Sequence, residues 1–325
     1  MAMPIDIKDL VRSGTRLRKD REQPVHLVVA IEADAPDALI DALRTRLRPG
    51  TAGARVTVEV VDTDSGQPLN SADALVAVVG SAGVRLRRAL DAARAARIPC
   101  VAVALGGGNA VGTLADALGQ PLADLLIGTD AEEVVGEGLA RWLAEEISSK
   151  RLALAHNFTF MRRAVADEAV RTTAWQNALI GAVAIIPGAD MPIMTANQGK
   201  MLLQIAAAYG EPLGAERMKE LAAVVGAGFA LRTVARQAVG LVPVLGWAVK
   251  GGFGYAGTLA MGKAAIGYFD QGADLTQVVD AIKGAASEAA ARLPHRSPHA
   301  PPLTQMTLAE LDEPGAASGT PGVAR

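Results

Sequence analysis

The sequence predicts an α/β domain with a doubly wound, mostly parallel sheet, followed by an all-α domain rich in glycine and alanine. Three observations carry this expectation. Between residues 25 and 149, short runs of Val, Leu, Ile and Ala alternate with amphipathic stretches, the rhythm of strands spaced by helices. From 150 to 293 the strand-like runs stop, and apolar residues recur at helical spacing between Pro and Gly breaks. Half of the residues are apolar and 34 are glycine, while aromatics are only 3%, so small side chains set the packing. A chain of 325 residues is long for one ordinary domain, which fits two domains flanked by a basic arm at 1–24 and a tail at 294–325.

The elements follow in order. The arm carries Lys8, Arg12, Arg16, Arg18, Lys19 and Arg21, with Ile5, Ile7, Leu10 and Val11 able to form a short apolar face. It reads either as a membrane-surface or partner helix or as a solvated arm. VHLVVAIEA (25–33) is a buried-strand run, and a helix from about Pro36 to Arg48 follows, proline being suited to a first helical turn. ARVTVEVVDT (54–63), ADALVAVVG (72–80), PCVAVALGG (99–107) and ADLLIGT (123–129) supply the other strands. VRLRRALDAARAARI (84–98) and DAEEVVGEGLARWLAEE (130–146) supply helices, the second with Asp130 as its cap. The tail is rich in Pro, Ser, Gly and Ala and is expected to be disordered, with a capping-box pattern at Thr307 and Glu310.

Several function classes are disfavoured. A net charge of −2 gives no global pull toward nucleic acid, and 3% aromatics cannot build base-stacking platforms. Cys100 is the only cysteine, which excludes an intrachain disulfide and a cysteine zinc site. No metal and no cofactor is expected. The first residues lack the apolar core of a secretory signal, which places the N-terminal half in the cytoplasm. The strand ends, where doubly wound sheets bind ligands, are poor in phosphate chemistry. The first strand runs into EADAPDALI, acidic and without glycine, instead of a Gly-rich loop with Lys and Ser/Thr. Asp62 or Asp64 can hold Mg²⁺ through water or simply cap a loop. Gly106, Gly107 and Gly108 in LGGGNAVG can bring backbone close to an anion or serve as a flexible connector. Asp62 and these glycines are the nucleotide or anion candidates.

The helical part carries the unusual features. A helix from about Phe158 to Ile186 stops at Pro187-Gly188. Asp190 can cap the next, with Pro192 in its first turn, and that helix runs to Tyr209. A third starts near Ala215, a fourth spans Trp247 to Phe269, and a last one runs from Asp274 to Arg292. Asn177, Asn197, Gln198, Lys200 and Gln204 are scattered through the first two. No charge-free window matches the about 20 apolar residues of a spanning helix, which favours core helices or re-entrant hairpins. Spacing argues the other way. Ala248, Gly252, Ala256, Ala260 and Ala264 recur every four residues as one ridge, with Gly254, Thr258 and Gly262 beside it and Ala174, Ala178 and Ala182 on the first helix. Such ridges let helices approach nearly backbone to backbone, in lipid, in a tight bundle or between subunits. Lys250 and Lys263 can reach toward headgroups, and Trp247, Tyr255 and Tyr268 suit an interface. The alternative has the lysines facing solvent and Tyr255 in the core. Arg232 and Arg236, one turn apart, can pair with Asp190 or with lipid phosphates. His156 is the only histidine of 150–293, so acid–base catalysis has too few participants and no catalytic residue is assigned.

NALIGAVAIIPGADMPIMTANQGKMLLQIAAAYG (177–210), with the PGADMP corner at 187–192, Gln198, R..AR at 232–236, YAGT at 255–258 and YF at 268–269, resembles a bacterial family of unknown function. That family is often fused to a GTPase domain and is related to inner-membrane proteins of the YcjF type. The likeness covers roughly 151–285. It implies a membrane-associated helical domain behind a GTPase domain, with no established enzymatic activity. The N-terminal half lacks the phosphate loop and the Asn-Lys-x-Asp motif of GTPases, so it looks like a pseudo-GTPase or an unrelated Rossmann-like domain. The expected function is a non-catalytic, membrane-associated scaffold or regulator. A soluble homo-oligomer and an atypical nucleotide-dependent regulator are the alternatives. The expected partners are membrane lipid, a second copy and an unidentified protein, but not nucleic acid, and the expected location is the cytoplasmic membrane with the N-terminal domain on the cytoplasmic side (alternatively the cytoplasm).

Overall fold

The computed structural model describes residues 7–61, 71–121, 124–183, 191–213 and 247–271. Helix α1 (Ile7–Arg21) leads into strand β1 (Val25–Ile31), followed by α2 (Asp37–Arg46), β2 (Ala54–Val60), β3 (Ala74–Val78), α3 (Val84–Ala95), β4 (Cys100–Leu105), α4 (Val111–Leu118) and β5 (Leu125–Gly128). A π-helical stretch (Glu133–Leu139) then runs into α5 (Ala140–Glu146). The five strands form one parallel sheet in the order β2-β1-β3-β4-β5. Leu27 sits beside Ala74, Leu75 beside Cys100 and Ala102 beside Leu125. The expected doubly wound α/β domain is therefore present, with helices on both faces.

Burial explains the strand sequences. Both faces of β3 are covered, so all five of its residues are apolar and buried. Leu27, Val29, Val76, Val78, Val101 and Val103 pack toward α2 and α5. Val28, Ala30, Leu75, Ala77, Ala102 and Ala104 pack toward α3 and α4. The edge strand β2 alternates, with Val58 59% exposed. Asp130 does cap the helical segment after β5, its Oδ1 accepting from the Glu132 N–H at 2.9 Å.

Two local features differ from the sequence reading. LGGGNAVG is no mere connector, because a 3₁₀ turn (Gly108–Ala110) runs directly into α4, which ends on Gly119 at φ +60°. The helix expected from about Phe158 is present as α7, but a short helix that the sequence reading did not assign precedes it. Helix α6 (Arg151–Asn157) stops at Phe158, whose backbone is extended, and α7 runs from Met161 to Val183. Helices α8 (Met191–Ala208) and α9 (Trp247–Asp270) complete the described part.

One apolar core links the sheet to these helices. It runs from Leu27 and Val29 through Leu143 and Leu154 to Met161, Met201, Ile205, Ile266 and Phe269. Polar ties reinforce the junction. Lys150 Nζ donates to Asp73 Oδ1 at 2.7 Å and to the Pro24 carbonyl at 2.8 Å, and the Gly50 N–H donates to the Asn157 carbonyl at 2.7 Å. Arg171 joins Glu145 to Glu168, and Arg151 also reaches Glu168. Within the basic arm, residues 7–21 form a helix docked on α6 and α8, with Leu17 buried and Arg21 Nη1 donating to the Glu211 carbonyl at 3.2 Å.

His156 lies beside this junction. Burial first, then the charges of Arg21 and Arg162, hold its pKa below the usual histidine value. The unfolded chain takes up that proton at a higher pH than the folded chain. Stability is therefore expected to fall as pH drops below about 6.5, and His156→Gln to flatten that part of the curve. Denaturation midpoints measured from about pH 7.5 to 5 check this, and parallel curves for the two proteins would refute it.

Candidate functional site

The strand order reverses between β1 and β3, where doubly wound sheets place ligands. Here the position is filled by the chain itself. Glu32, directly after β1, is 7% exposed. Its Oε2 accepts from the N–H groups of Gly80 (2.7 Å) and Ala82 (2.9 Å), and its Oε1 from that of Gly83 (2.6 Å). The loop after β3 thus forms an anion-binding nest at the start of α3, already occupied by a carboxylate. Ala82 adopts φ +58° to complete it. Gly80 is required because a Cβ there would lie 2.7 Å from the Asp34 carbonyl carbon. A phosphate at this point would have to expel Glu32 and stand beside Asp34.

The other anion candidates are no better furnished. Gly106 packs against Ile127, whereas Gly107 and Gly108 are exposed and face open space. A cleft of about 450 Å³ beyond the carboxyl ends of β4 and β5 is lined by Asp41, Thr45, Thr129, Asp130 and Glu132. Its ionisable lining is acidic, and the adjacent Arg46 is bound to Glu132 at 2.7 Å. Asp62 and Asp64 lie outside the described residues. Among the described residues, no group of three or more His, Cys, Asp or Glu side chains could hold a metal ion. Burial pushes the Cys100 thiol above its ordinary pKa, which makes it a poor nucleophile.

In the helical part, three of the polar residues scattered through the sequence converge. Asn177 (α7) and Thr258 (α9) are both 0% exposed, and Gln198 (α8) is 3% exposed. Asn177 Nδ2 donates to Thr258 Oγ1 at 2.9 Å, and Gln198 Nε2 donates to the same oxygen at 3.0 Å. Asn197 Nδ2 donates to Asn177 Oδ1 at 3.1 Å. Thr195, 2% exposed, adds a hydroxyl with no partner among the described residues. One polar layer therefore bonds three helices in a single register, since any slip strands buried amides. Lys200 is exposed and Gln204 half-buried, apart from this layer.

Helix α9 meets α7 through the row containing Thr258 and Gly262. A Cβ on Gly262 would lie 2.6 Å from Val170 Cγ1 and closer still to Cγ2, so the helices touch where one of them has no side chain. Ala248, Gly252, Ala256, Ala260 and Ala264 all lie on α9; the surroundings of the last two are described, and both are exposed. Gly181 on α7 is buried, and Ala174 is 0% exposed. Of the corner residues, Pro192 is exposed in the first turn of α8, while Pro187, Gly188 and Asp190 lie outside the described residues, as do Arg232 and Arg236. The helices expected from Ala215 and from Asp274, and the tail, also lie outside them.

Exposed apolar side chains on α7 and α8 were not singled out by the sequence. Trp175 and Leu179, one turn apart on α7, are 59% and 63% exposed, and Ile193 on α8 is 53% exposed. The Trp175 ring lies 5.2 Å from that of half-buried Tyr255. The four-residue spacing of Trp175 and Leu179 was the available signal. Among the described residues, no helix is long and apolar enough to cross a membrane.

No curated protein matches the chain. Residues 149–293 match a family profile described as "Domain of unknown function (DUF697)", so the helical part of the chain carries a DUF697 family domain.

Proposed function

We propose that the protein is a non-catalytic, membrane-associated scaffold that lies on a lipid surface through its DUF697 domain. One observation carries this reading: Trp175 and Leu179 stand exposed one turn apart on α7, with Tyr255 against the tryptophan, and Ile193 on α8 is exposed as well. An indole beside aliphatic side chains suits the headgroup boundary, where its apolar body and its N–H are both accommodated. The contact is interfacial and needs no spanning helix. The α/β domain acts as a pseudo-GTPase-like or Rossmann-like platform for a protein partner, and the carboxylate in its nest favours this over a nucleotide-dependent regulator.

Vesicles of phosphatidylethanolamine and phosphatidylglycerol, sedimented with the full-length protein, test the proposal. The wild-type chain is expected in the pellet. The Trp175→Ser/Leu179→Ser variant loses two exposed apolar anchors and is expected to partition about tenfold more weakly or worse. Both side chains are exposed, so its circular dichroism should match the wild type. Wild-type protein that stays in the supernatant would overturn the reading.

A further inference from the structure

We infer that a second copy of this chain pairs with the outer edge of β2, joining two five-stranded sheets into one of ten. The surface is distinct from the helical one above. β2 is a sheet edge seven residues long, whereas the opposite edge, β5, has four residues. Of the devices that protect natural edges, β2 (ARVTVEV) lacks lysine, proline and shortness and carries only the opposite charges Arg55 and Glu59. Its Val58 and Val60 are 59% and 49% exposed.

The backbone directions fix which groups are free. The Gly53 carbonyl accepts from Val25 and the Val61 N–H donates to Ile31, so both point toward β1. Strand alternation turns the N–H and C=O groups of Arg55, Thr57 and Glu59 the same way. Those of Ala54, Val56, Val58 and Val60 point outward, unpaired with β1.

Charge selects the partner and the register. Arg55 and Glu59 lie on one face of β2, and neither makes an ion pair among the described residues. An antiparallel copy about a two-fold axis at Thr57 sets Arg55 opposite Glu59 of the second copy, and Glu59 opposite its Arg55. The same register sets Val56 opposite Val58 and Ala54 opposite Val60. These valine and alanine pairs are the outward-pointing residues and form the hydrogen-bonded pairs. The charged pairs fall at non-hydrogen-bonded positions, where side chains come closest. A strand that complements itself in backbone, charge and apolar face at one register is suited to its own copy.

Sedimentation velocity of the full chain without detergent, with cysteine cross-linking, tests the inference. The wild type is expected to be a dimer. Glu59→Arg sets two pairs of arginines face to face and should weaken the dimer about tenfold, while Arg55→Glu/Glu59→Arg should restore it. Thr57→Cys places two thiols at the axis and should cross-link under mild oxidation, with buried Cys100 contributing little. A wild-type chain that stays monomeric up to about 100 μM overturns the inference. So does a dimer indifferent to Glu59→Arg whose Thr57→Cys form does not cross-link, because its copies then meet elsewhere.

Discussion

Glu32→Ala is expected to destabilise the protein by about 3–5 kcal/mol, the largest loss from a single substitution in the α/β domain. Three backbone N–H groups, of Gly80, Ala82 and Gly83, converge on this carboxylate at 2.6–2.9 Å. Removing it leaves those donors without their acceptor in a half-buried loop, and an orphaned donor carries a desolvation penalty of about 1–3 kcal/mol when fully shielded from water. The loop also gives up the reason for holding Ala82 at φ +58°, an unfavourable conformation for alanine. Glu32→Gln keeps the shape and one acceptor oxygen but aims an NH₂ at a donor, so a smaller loss of about 1–2 kcal/mol is expected. Urea titrations with unchanged slope and midpoints in the order wild type, Gln, Ala check this. A wild-type midpoint for Glu32→Ala would show that the nest does not need its anion.

Gly262→Val is expected to cost about 3 kcal/mol, by driving a branched side chain into Val170 where α9 crosses α7. The obstacle is stiff. A valine in a helix has essentially one rotamer, and its own Cβ already lies 3.0 Å from where a Cβ at position 262 would sit. Gly262→Ala should cost less, about 1–2 kcal/mol, because the gain in helix propensity offsets part of the clash. Val170→Ala in the same chain should recover part of that loss, giving a coupling of about 1 kcal/mol in a double-mutant cycle. Strictly additive effects would mean that the two residues do not press on one another.

The parallel sheet was legible because strands covered on both faces must be apolar throughout, as VHLVVAI and ALVAV are. α4 was hidden by the glycines before it, although Val111, Leu114, Ala115 and Leu118 already had helical spacing. The helix start near Phe158 was legible, but α6 before it was not, because its end carries neither Pro nor Gly and is set by packing, Phe158 itself being 0% exposed. Sequence showed small rows on α9 without saying which faces inward. Val170, 92 residues before Gly262, makes that choice, since its bulk requires a glycine opposite. Distance along the chain likewise concealed the polar layer, because Asn177 and Thr258 are 81 residues apart and no periodicity relates them. The charge of the acids after β1 was legible, and with it their repulsion of a phosphate. That Glu32 reaches across to the loop at 80–83 depends on β1 and β3 being neighbours, a long-range fact.

The shared core has a mechanical meaning. Apolar side chains run without interruption from the sheet's α2/α5 face to α9, so there is no greased seam on which one half could swivel against the other. Tilting the helices relative to the strands would wet Phe158 and Leu154, both fully enclosed. A push on α7 is therefore passed toward β1 through side chains in contact, and the described halves resist moving separately.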